Sequence, residues 1–314
     1  MKRIVIDSEQ TGAIAFLDVE IPQPLPHQCL VKVTHYSLNR GEFSLAKNAP
    51  TGNSIGWDYV GMIAQPASDG SGLPEGTRVV GWRPEMDAFA EYAIGDPNYF
   101  APIPDGVSNT QAATLPVAGL TALAAIDKGT RLLGNSVMVT GITGGVGYFA
   151  LQLASLTGAR VVAQVRKLEQ ENFARSMGAD AVVVTADGSG LETEGPYQLV
   201  VDGVGGPLFG KLLENTTKGG TLVSYGASGG YDIRFSSYPA LFGNGGQRSV
   251  YGLTLYTETE LQSSSDALAR LLQLVEEQDV AVPTIVEANW LETPQYAQDL
   301  LDRKFKGKAV MEVS

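Results

Sequence analysis

The chain of 314 residues has one cysteine and two histidines. Cys29 alone cannot close an internal disulfide, which fits a reducing compartment such as the cytoplasm. The same count excludes a four-thiolate structural zinc site. No run of about 18 apolar residues occurs, so no membrane span is expected. The N-terminus, MKRIVIDSEQ, lacks the long apolar stretch and small-residue cleavage site of a secretory signal. Cations are scarce: 22 Lys and Arg against 34 Asp and Glu leave a net charge of −12. No cluster of Lys and Arg stands out, which disfavours nucleic acid as a partner. Low-complexity tracts and repeats of solenoid length are absent. What remains is ordinary globular composition, 44% hydrophobic and 18% charged, with length enough for two cores.

What is present is most informative at residues 136–154, SVMVTGITGGVGYFALQLA. Val137 to Val139 read as a buried strand. Gly141, Gly144, Gly145 and Gly147 follow, and Val146, Phe149, Ala150, Leu153 and Ala154 then recur at helical spacing. Strand, glycine turn and helix point free N–H groups and a positive helix end at a pyrophosphate. The strict G-x-G-x-x-G fingerprint is not met. Its last two glycines fall at Gly144 and Gly147, but Ile142 stands where the first belongs. A single glycine serves a plain turn equally well.

A second β-like run, RVVAQV at 160–165, completes a βαβ unit of the expected length of about 30 residues. A carboxylate at the tip of that strand would hold a ribose 2′-hydroxyl. Here the tip carries Arg166 and Lys167, and no carboxylate appears before Glu169. Cations there suit a 2′-phosphate, hence NADP(H). The alternative is that the two merely decorate a solvated helix start.

Residues 1 to about 110 read as all-β, with runs at 29–39, 58–64, 77–82 and 88–94 punctuated by Pro and Gly. This suggests a small irregular barrel. Beyond the helical stretch 111–126, strands expected at 136–141, 160–165, 181–184, 198–204, 221–226 and 249–255 alternate with helices such as 168–177 and 206–217. Apolar strands with alternating helices mean a parallel sheet covered on both faces, the doubly wound α/β dinucleotide fold. One amphipathic helix is expected at 258–278, with Leu261, Leu268, Leu271, Leu272 and Val275 on its apolar side. Strand texture returns at 282–288 and 307–314. That tail could complete the first domain, with the cofactor domain inserted and a ligand cleft at the junction.

With both halves in view, the chain resembles the medium-chain dehydrogenase/reductase superfamily, most closely its zinc-free quinone oxidoreductase branch. SLNRGEF (37–43), GWDYVG (56–61), LPVAGLTA (115–122), VTGITGGVG (139–147), MGAD (177–180), VVDGVGG (200–206), GGTLVSYGA (219–227) and DRKFKGKAV (302–310) carry the likeness in order. The family turn, a small residue and two variable ones before GGVG, accommodates the displaced Gly141. The resemblance implies a Rossmann cofactor domain at 112–278 inserted in a β-rich GroES-like catalytic domain, 1–111 with 279–314. Zinc-using relatives place Cys and His ligands where this chain has Asn39 and Trp57, so no metal is expected, and His27 and His35 read as surface or satisfied histidines.

Hydride transfer from NADPH to a quinone or an α,β-unsaturated carbonyl follows from the likeness. Asn39 would lie beside the nicotinamide and hydrogen-bond the substrate carbonyl as negative charge develops. Thr121, Thr143, Gly144, Gly145, Val146, Gly147, Arg166, Lys167, Val204, Gly226, Ala227, Leu253 and Lys308 would contact the coenzyme. Tyr36 and Tyr59 are candidate proton donors, with solvent as the alternative. Trp57 either stacks on a flat substrate or packs between domains. Glu42 stands where relatives often carry Asp and reads as structural. Thr185 replaces a tyrosine that relatives place near the 2′-phosphate ribose. Relatives are commonly homodimers. Competing functions are an enoyl-thioester reductase and an NADPH-binding protein without turnover.

Overall fold

In the computed structural model, which describes residues 1–314, the β-branched and aromatic runs at the start of the chain form seven strands. They are β1 (Lys2–Ile6), β2 (Ile14–Asp18), β3 (Cys29–Ser37), β4 (Asp58–Gln65), β5 (Arg78–Trp82), β6 (Tyr92–Gly95) and β7 (Phe100–Pro102). β1 and β2 pair as an antiparallel ribbon. The others gather around β3, which is antiparallel to β4 and to β6. Cys29, Val31 and Val33 point into the core while Lys32 is exposed, the two-residue period of a half-buried strand. Gly61 is required where β4 crosses β3: a Cβ there would lie 2.2 Å from the Lys32 carbonyl oxygen. Short helices α1 (Arg40–Ala46) and α2 (Asn109–Ala113) and the longer α3 (Pro116–Asp127) complete this part.

The alternating region forms β8 (Ser136–Val139), α4 (Gly145–Leu156), β9 (Arg160–Val165), α5 (Glu171–Ser176), β10 (Ala181–Val184), β11 (Tyr197–Asp202), α6 (Gly206–Glu214), β12 (Thr216–Ser224), β13 (Ser249–Gly252) and α7 (Leu255–Leu261). The six strands run in the order β10-β9-β8-β11-β12-β13, and every pair is parallel. Val137, Met138, Val139, Val161, Val162, Leu199, Val200 and Val201 are fully buried, as a sheet covered on both faces demands. The expected doubly wound fold is therefore present. Its order reverses between β8 and β11, where ligands bind at the carboxyl ends of such strands.

The chain then adds α8 (Ser264–Glu276), β14 (Ile285–Asn289), α9 (Thr293–Leu301) and β15 (Lys308–Glu312). β15 pairs with β3 and β14 with β15, so the tail completes the first sheet. The chain divides into two compact units, Met1–Leu120 with Thr259–Ser314, and Thr121–Glu258. The second is shorter than the expected 112–278. The reason lies in α8, whose buried face (Leu268, Leu271, Leu272) packs on β5 and β7 of the first unit. The single helix expected at 258–278 is also two. The chain breaks before Ser263, whose hydroxyl caps α8 by accepting from Asp266 N at 3.5 Å, and Leu261 is left 72% exposed at the end of α7.

All three tryptophans, Trp57, Trp82 and Trp290, lie in the first unit, so tryptophan fluorescence reports its unfolding alone. Met311 on β15 is fully buried in the core with Phe43 and Trp290. Met311→Ala is expected to destabilise the fluorescence-detected transition in urea by about 2–5 kcal/mol. A loss near zero would show that the tail does not belong to this core.

Candidate active site

The glycine turn follows β8 directly. Gly141 takes φ +63°, and Gly144 N–H donates to the Gly141 carbonyl at 3.0 Å. Gly144 is the N-cap of α4 and offers no side-chain cap. The N–H groups of Gly145, Val146 and Gly147 therefore open α4 without an intrahelical acceptor. A Cβ on Gly147 would lie 2.4 Å from the Gly141 carbonyl oxygen, so only glycine lets the helix start press this close to the strand end. Thr143 is half-buried beside them. The result is a glycine-rich N–H cradle at a positive helix end, with the Tyr225 hydroxyl and Val204 as the nearest side-chain neighbours of Gly141, which fits a phosphate group.

Asp202 at the end of β11 organises the neighbouring loops. Fully buried, it accepts from Thr140 Oγ1 at 2.7 Å and from the N–H groups of Val204 and Gly205 at 3.0 Å. Burial pushes its carboxyl up, and these hydrogen bonds oppose the shift. Ser228 N–H donates to the Gly203 carbonyl and Gly229 N–H to that of Val204, which zips residues 203–206 to 226–230. Val204, Gly226 and Ala227 meet in this zipper, and Leu253, buried, follows it through a hydrogen bond to the Ser224 carbonyl. Tyr225 covers Gly203, where a Cβ would lie 2.4 Å from its ring. Sequence reasoning missed Asp202 and Tyr225. The signal for Asp202 was a carboxylate closing the apolar run VVD before three glycines.

At the tip of β9, Arg166 and Lys167 are exposed. Their backbone N–H groups are both held by Gln170 Oε1 at 3.2 Å. Lys167 leans to Glu169 at 3.5 Å, while the Arg166 guanidinium makes no hydrogen bond or ion pair. The Thr185 hydroxyl is committed to its own turn, accepting from Gly188 N–H and donating to Asp187.

The first unit holds a buried polar cluster that spacing alone did not announce. Asp58 Oδ1 accepts from Val117 N–H at 3.0 Å at the start of α3. Its Oδ2 accepts from Ser37 Oγ at 2.6 Å, Asn39 Nδ2 at 2.7 Å and Lys308 Nζ at 3.5 Å. Lys308 Nζ also donates to Asn39 Oδ1 at 2.6 Å. Glu42 accepts from the backbone N–H groups of Asn39 and Trp57, both at 2.8 Å. It thereby caps α1 from inside, in keeping with a structural role. Burial, then the charge of Asp58, pushes the Glu42 carboxyl up to about 8. Burial lowers the Lys308 ammonium, against the pull of Asp58 and Glu42.

Several candidates lie elsewhere. Tyr36 is fully buried, stacked on Phe89 and hydrogen-bonded to Thr293 Oγ1 at 2.7 Å. Tyr59 is fully buried with its hydroxyl unpartnered. Burial raises both phenols, so neither is poised to give up a proton, and both are core residues. Trp57 is buried with its ring against Gly41 of the same unit. Lys308 is internal rather than at a surface, and Thr121 is buried on α3. His27 sits 3.8 Å from Asp96, and His35 contacts Thr34. No three His, Cys, Asp or Glu side chains come together as a metal site would need.

Residues 145–274, which begin at the cradle, match a family model described as zinc-binding dehydrogenase. A chloroplastic quinone-oxidoreductase homolog of Spinacia oleracea is 29% identical over 236 residues, 68% of this chain and 70% of that protein. Quinone oxidoreductase-like protein 2 of Bos taurus is 30% identical over 225 residues, 67% of this chain and 64% of that one. The solved quinone oxidoreductase of Coxiella burnetii matches at a TM-score of 0.83 and 25% identity, over 100% of this chain and 99% of that one. This chain belongs to the medium-chain dehydrogenase/reductase superfamily, whose members use a nicotinamide coenzyme. Within it, the chain is an oxidoreductase of the quinone oxidoreductase branch.

Glu42 has a testable signature. Its folded pKa of about 8 stands above its ordinary 4.5. Between these values the folded state binds more protons than the unfolded one, so stability falls as pH rises through that window. Urea unfolding followed by tryptophan fluorescence should show this fall from pH 5 to pH 8, and Glu42→Gln should flatten it. An unchanged slope in Glu42→Gln would assign the titration to another group.

Proposed function

We propose that this chain is an NADPH-dependent, zinc-independent reductase that passes hydride to quinones or α,β-unsaturated carbonyls. The observation that carries the reading is the glycine-rich N–H cradle of Gly144, Gly145, Val146 and Gly147, with the unpaired guanidinium of Arg166 at the tip of the next strand. The cradle suits the pyrophosphate, and Arg166, assisted by Lys167, suits the 2′-phosphate. When bound, the reduced nicotinamide supplies the hydride. Val204, Gly226, Ala227 and Leu253 offer the ring an apolar, backbone-lined wall, with Thr121, Asn39 and Lys308 as further contacts by family likeness. Zinc independence is supported by the donor set. Asn39 and Trp57 stand where zinc-using relatives carry ligands, and neither replaces a thiolate or an imidazole. With Tyr36 and Tyr59 in the core, solvent is the proton source.

The acceptor is a small molecule, consistent with the acidic surface and with a chain in which no helix is long and apolar enough to cross a membrane. The single cysteine, free and buried, suits the reducing cytoplasm. A homodimer is part of the proposal. β13 is a sheet edge with Val250 exposed, and Tyr231, Tyr238 and Phe242 are exposed in the preceding segment. Unpaired edges with apolar neighbours invite a partner.

The test is NADPH oxidation by the purified chain with a quinone and with an enone, beside coenzyme affinity. Arg166→Ala should weaken NADPH about tenfold or more while leaving NADH nearly unchanged. Equal loss for both coenzymes would overturn the 2′-phosphate assignment. Tight NADPH binding without oxidation by either acceptor would leave a binding protein rather than a reductase. In solution the mass should be twice the 33.2 kDa of one chain, and Val250→Lys should return it to one. A monomeric wild type refutes the dimer.

A further inference from the structure

Tyr225 follows β12, and its ring crosses Gly203, the residue after β11. Its hydroxyl ends 3.8 Å from the place a Cβ would take on Gly141, in the turn after β8. One side chain thus spans the carboxyl ends of three neighbouring strands, and all of it lies within the second unit, Thr121–Glu258. The residue is half-buried, yet its hydroxyl makes no hydrogen bond within the protein.

The acceptors beside that hydroxyl are already committed. The Gly203 carbonyl takes Ser228 N–H at 3.2 Å and Ser228 Oγ at 3.0 Å. The Gly141 carbonyl takes Gly144 N–H at 3.0 Å. Asp202 accepts from Thr140, Val204 and Gly205. Burial, then the charge of Asp202, pushes the phenol up, so it stays protonated and remains a donor. The groups left over nearby are donors as well, the first N–H groups of α4. A partner that satisfies both must be rich in acceptors and negatively charged, as a phosphate is.

We propose that the Tyr225 hydroxyl donates a hydrogen bond to the nicotinamide-side phosphate of the coenzyme's pyrophosphate. The proposal rests on the coenzyme reading above and deepens it, and it needs the second unit alone. The choice of phosphate follows from the strand order β10-β9-β8-β11-β12-β13. Arg166 at the tip of β9 draws the adenosine half to that side of the turn. Tyr225 comes from β12, on the other side, and takes the phosphate farther from Arg166. A side chain thereby completes a cradle that α4 builds from backbone.

The experiment measures calorimetric affinities of wild type and Tyr225→Phe for three probes. They are NADPH, adenosine 2′-phosphate 5′-diphosphate, which ends at the second bridging phosphate, and adenosine 2′,5′-bisphosphate, which lacks that phosphate. Tyr225→Phe should weaken the first two about tenfold or more, as expected for a hydrogen bond to a charged group, and leave the third nearly unchanged. Loss for NADPH alone would move the partner to the nicotinamide riboside and overturn the proposal. Equal loss for all three would show that Tyr225 only shapes the site, and no loss for any would show that its hydroxyl does not touch the coenzyme; either overturns it. Without coenzyme, Tyr225→Phe should melt no lower than wild type by circular dichroism, because the hydroxyl removed has no partner in the protein. A clearly lower melting temperature would place that partner inside the protein and overturn the proposal. A wild type that binds none of the three probes overturns the coenzyme reading itself, and this inference with it.

Discussion

One carboxylate, Asp58, draws five chain segments together. Ser37 ends β3, Asn39 precedes α1, Val117 opens α3 and Lys308 begins β15; each gives it a hydrogen bond, while Asp58 itself begins β4. Such a group is costly to bury and costlier to leave unpaired, about 3–5 kcal/mol when one partner of a buried pair is removed. A surface pair such as Lys2 with Asp18, with side chains 50% and 80% exposed, contributes at most about 1 kcal/mol. The arrangement of the first unit around Asn39 therefore depends on the buried cluster far more than on the surface ion pairs. The perturbed Glu42 and Lys308 are consequences of the same burial, which the charge of Asp58 reinforces for Glu42 and opposes for Lys308.

The second unit is governed by a different constraint, the close approach of backbone to backbone. Gly147 lies against the Gly141 carbonyl, and Gly203 lies beneath the Tyr225 ring. Residues 203–206 are held to 226–230 by main-chain hydrogen bonds. Asp202 again supplies the polar anchor, by binding Thr140 and two N–H groups at once. Glycine backbone lines the turn after β8, with the Tyr225 hydroxyl and Val204 as the nearest side-chain neighbours of Gly141. That chemistry suits a polyanionic coenzyme because it supplies donors without filling the space.

Much of this was legible in the residues. Continuous apolar runs at 137–139, 161–163 and 199–201 specify buried parallel strands, because no half-exposed strand tolerates them. The glycine spacing marked the cradle, and the absence of a carboxylate after β9 marked the Arg166 tip. The break before Ser263 was harder to see, since Leu261 keeps the helical period while facing solvent. Periodicity records which residues share a face. It does not record that a serine cap restarts the helix or that α8 packs on β5 and β7. Tyr36 and Tyr59 illustrate the same gap. A phenol carries proton chemistry at the surface and only packing in a core, and its sequence neighbours do not say which.

By itself the sequence determined the parallel sheet, the glycine-rich helix start and the cationic strand tip, because these depend on the identity and spacing of residues close together in the chain. It also excluded disulfides and a four-thiolate metal site by composition alone. Only the tertiary structure decided that Lys308 reaches Asn39 across 269 positions of sequence and that Asp58 joins them. Hydrogen bonds of that span follow from how β15 pairs with β3, and no local pattern encodes which buried amide end meets which buried charge.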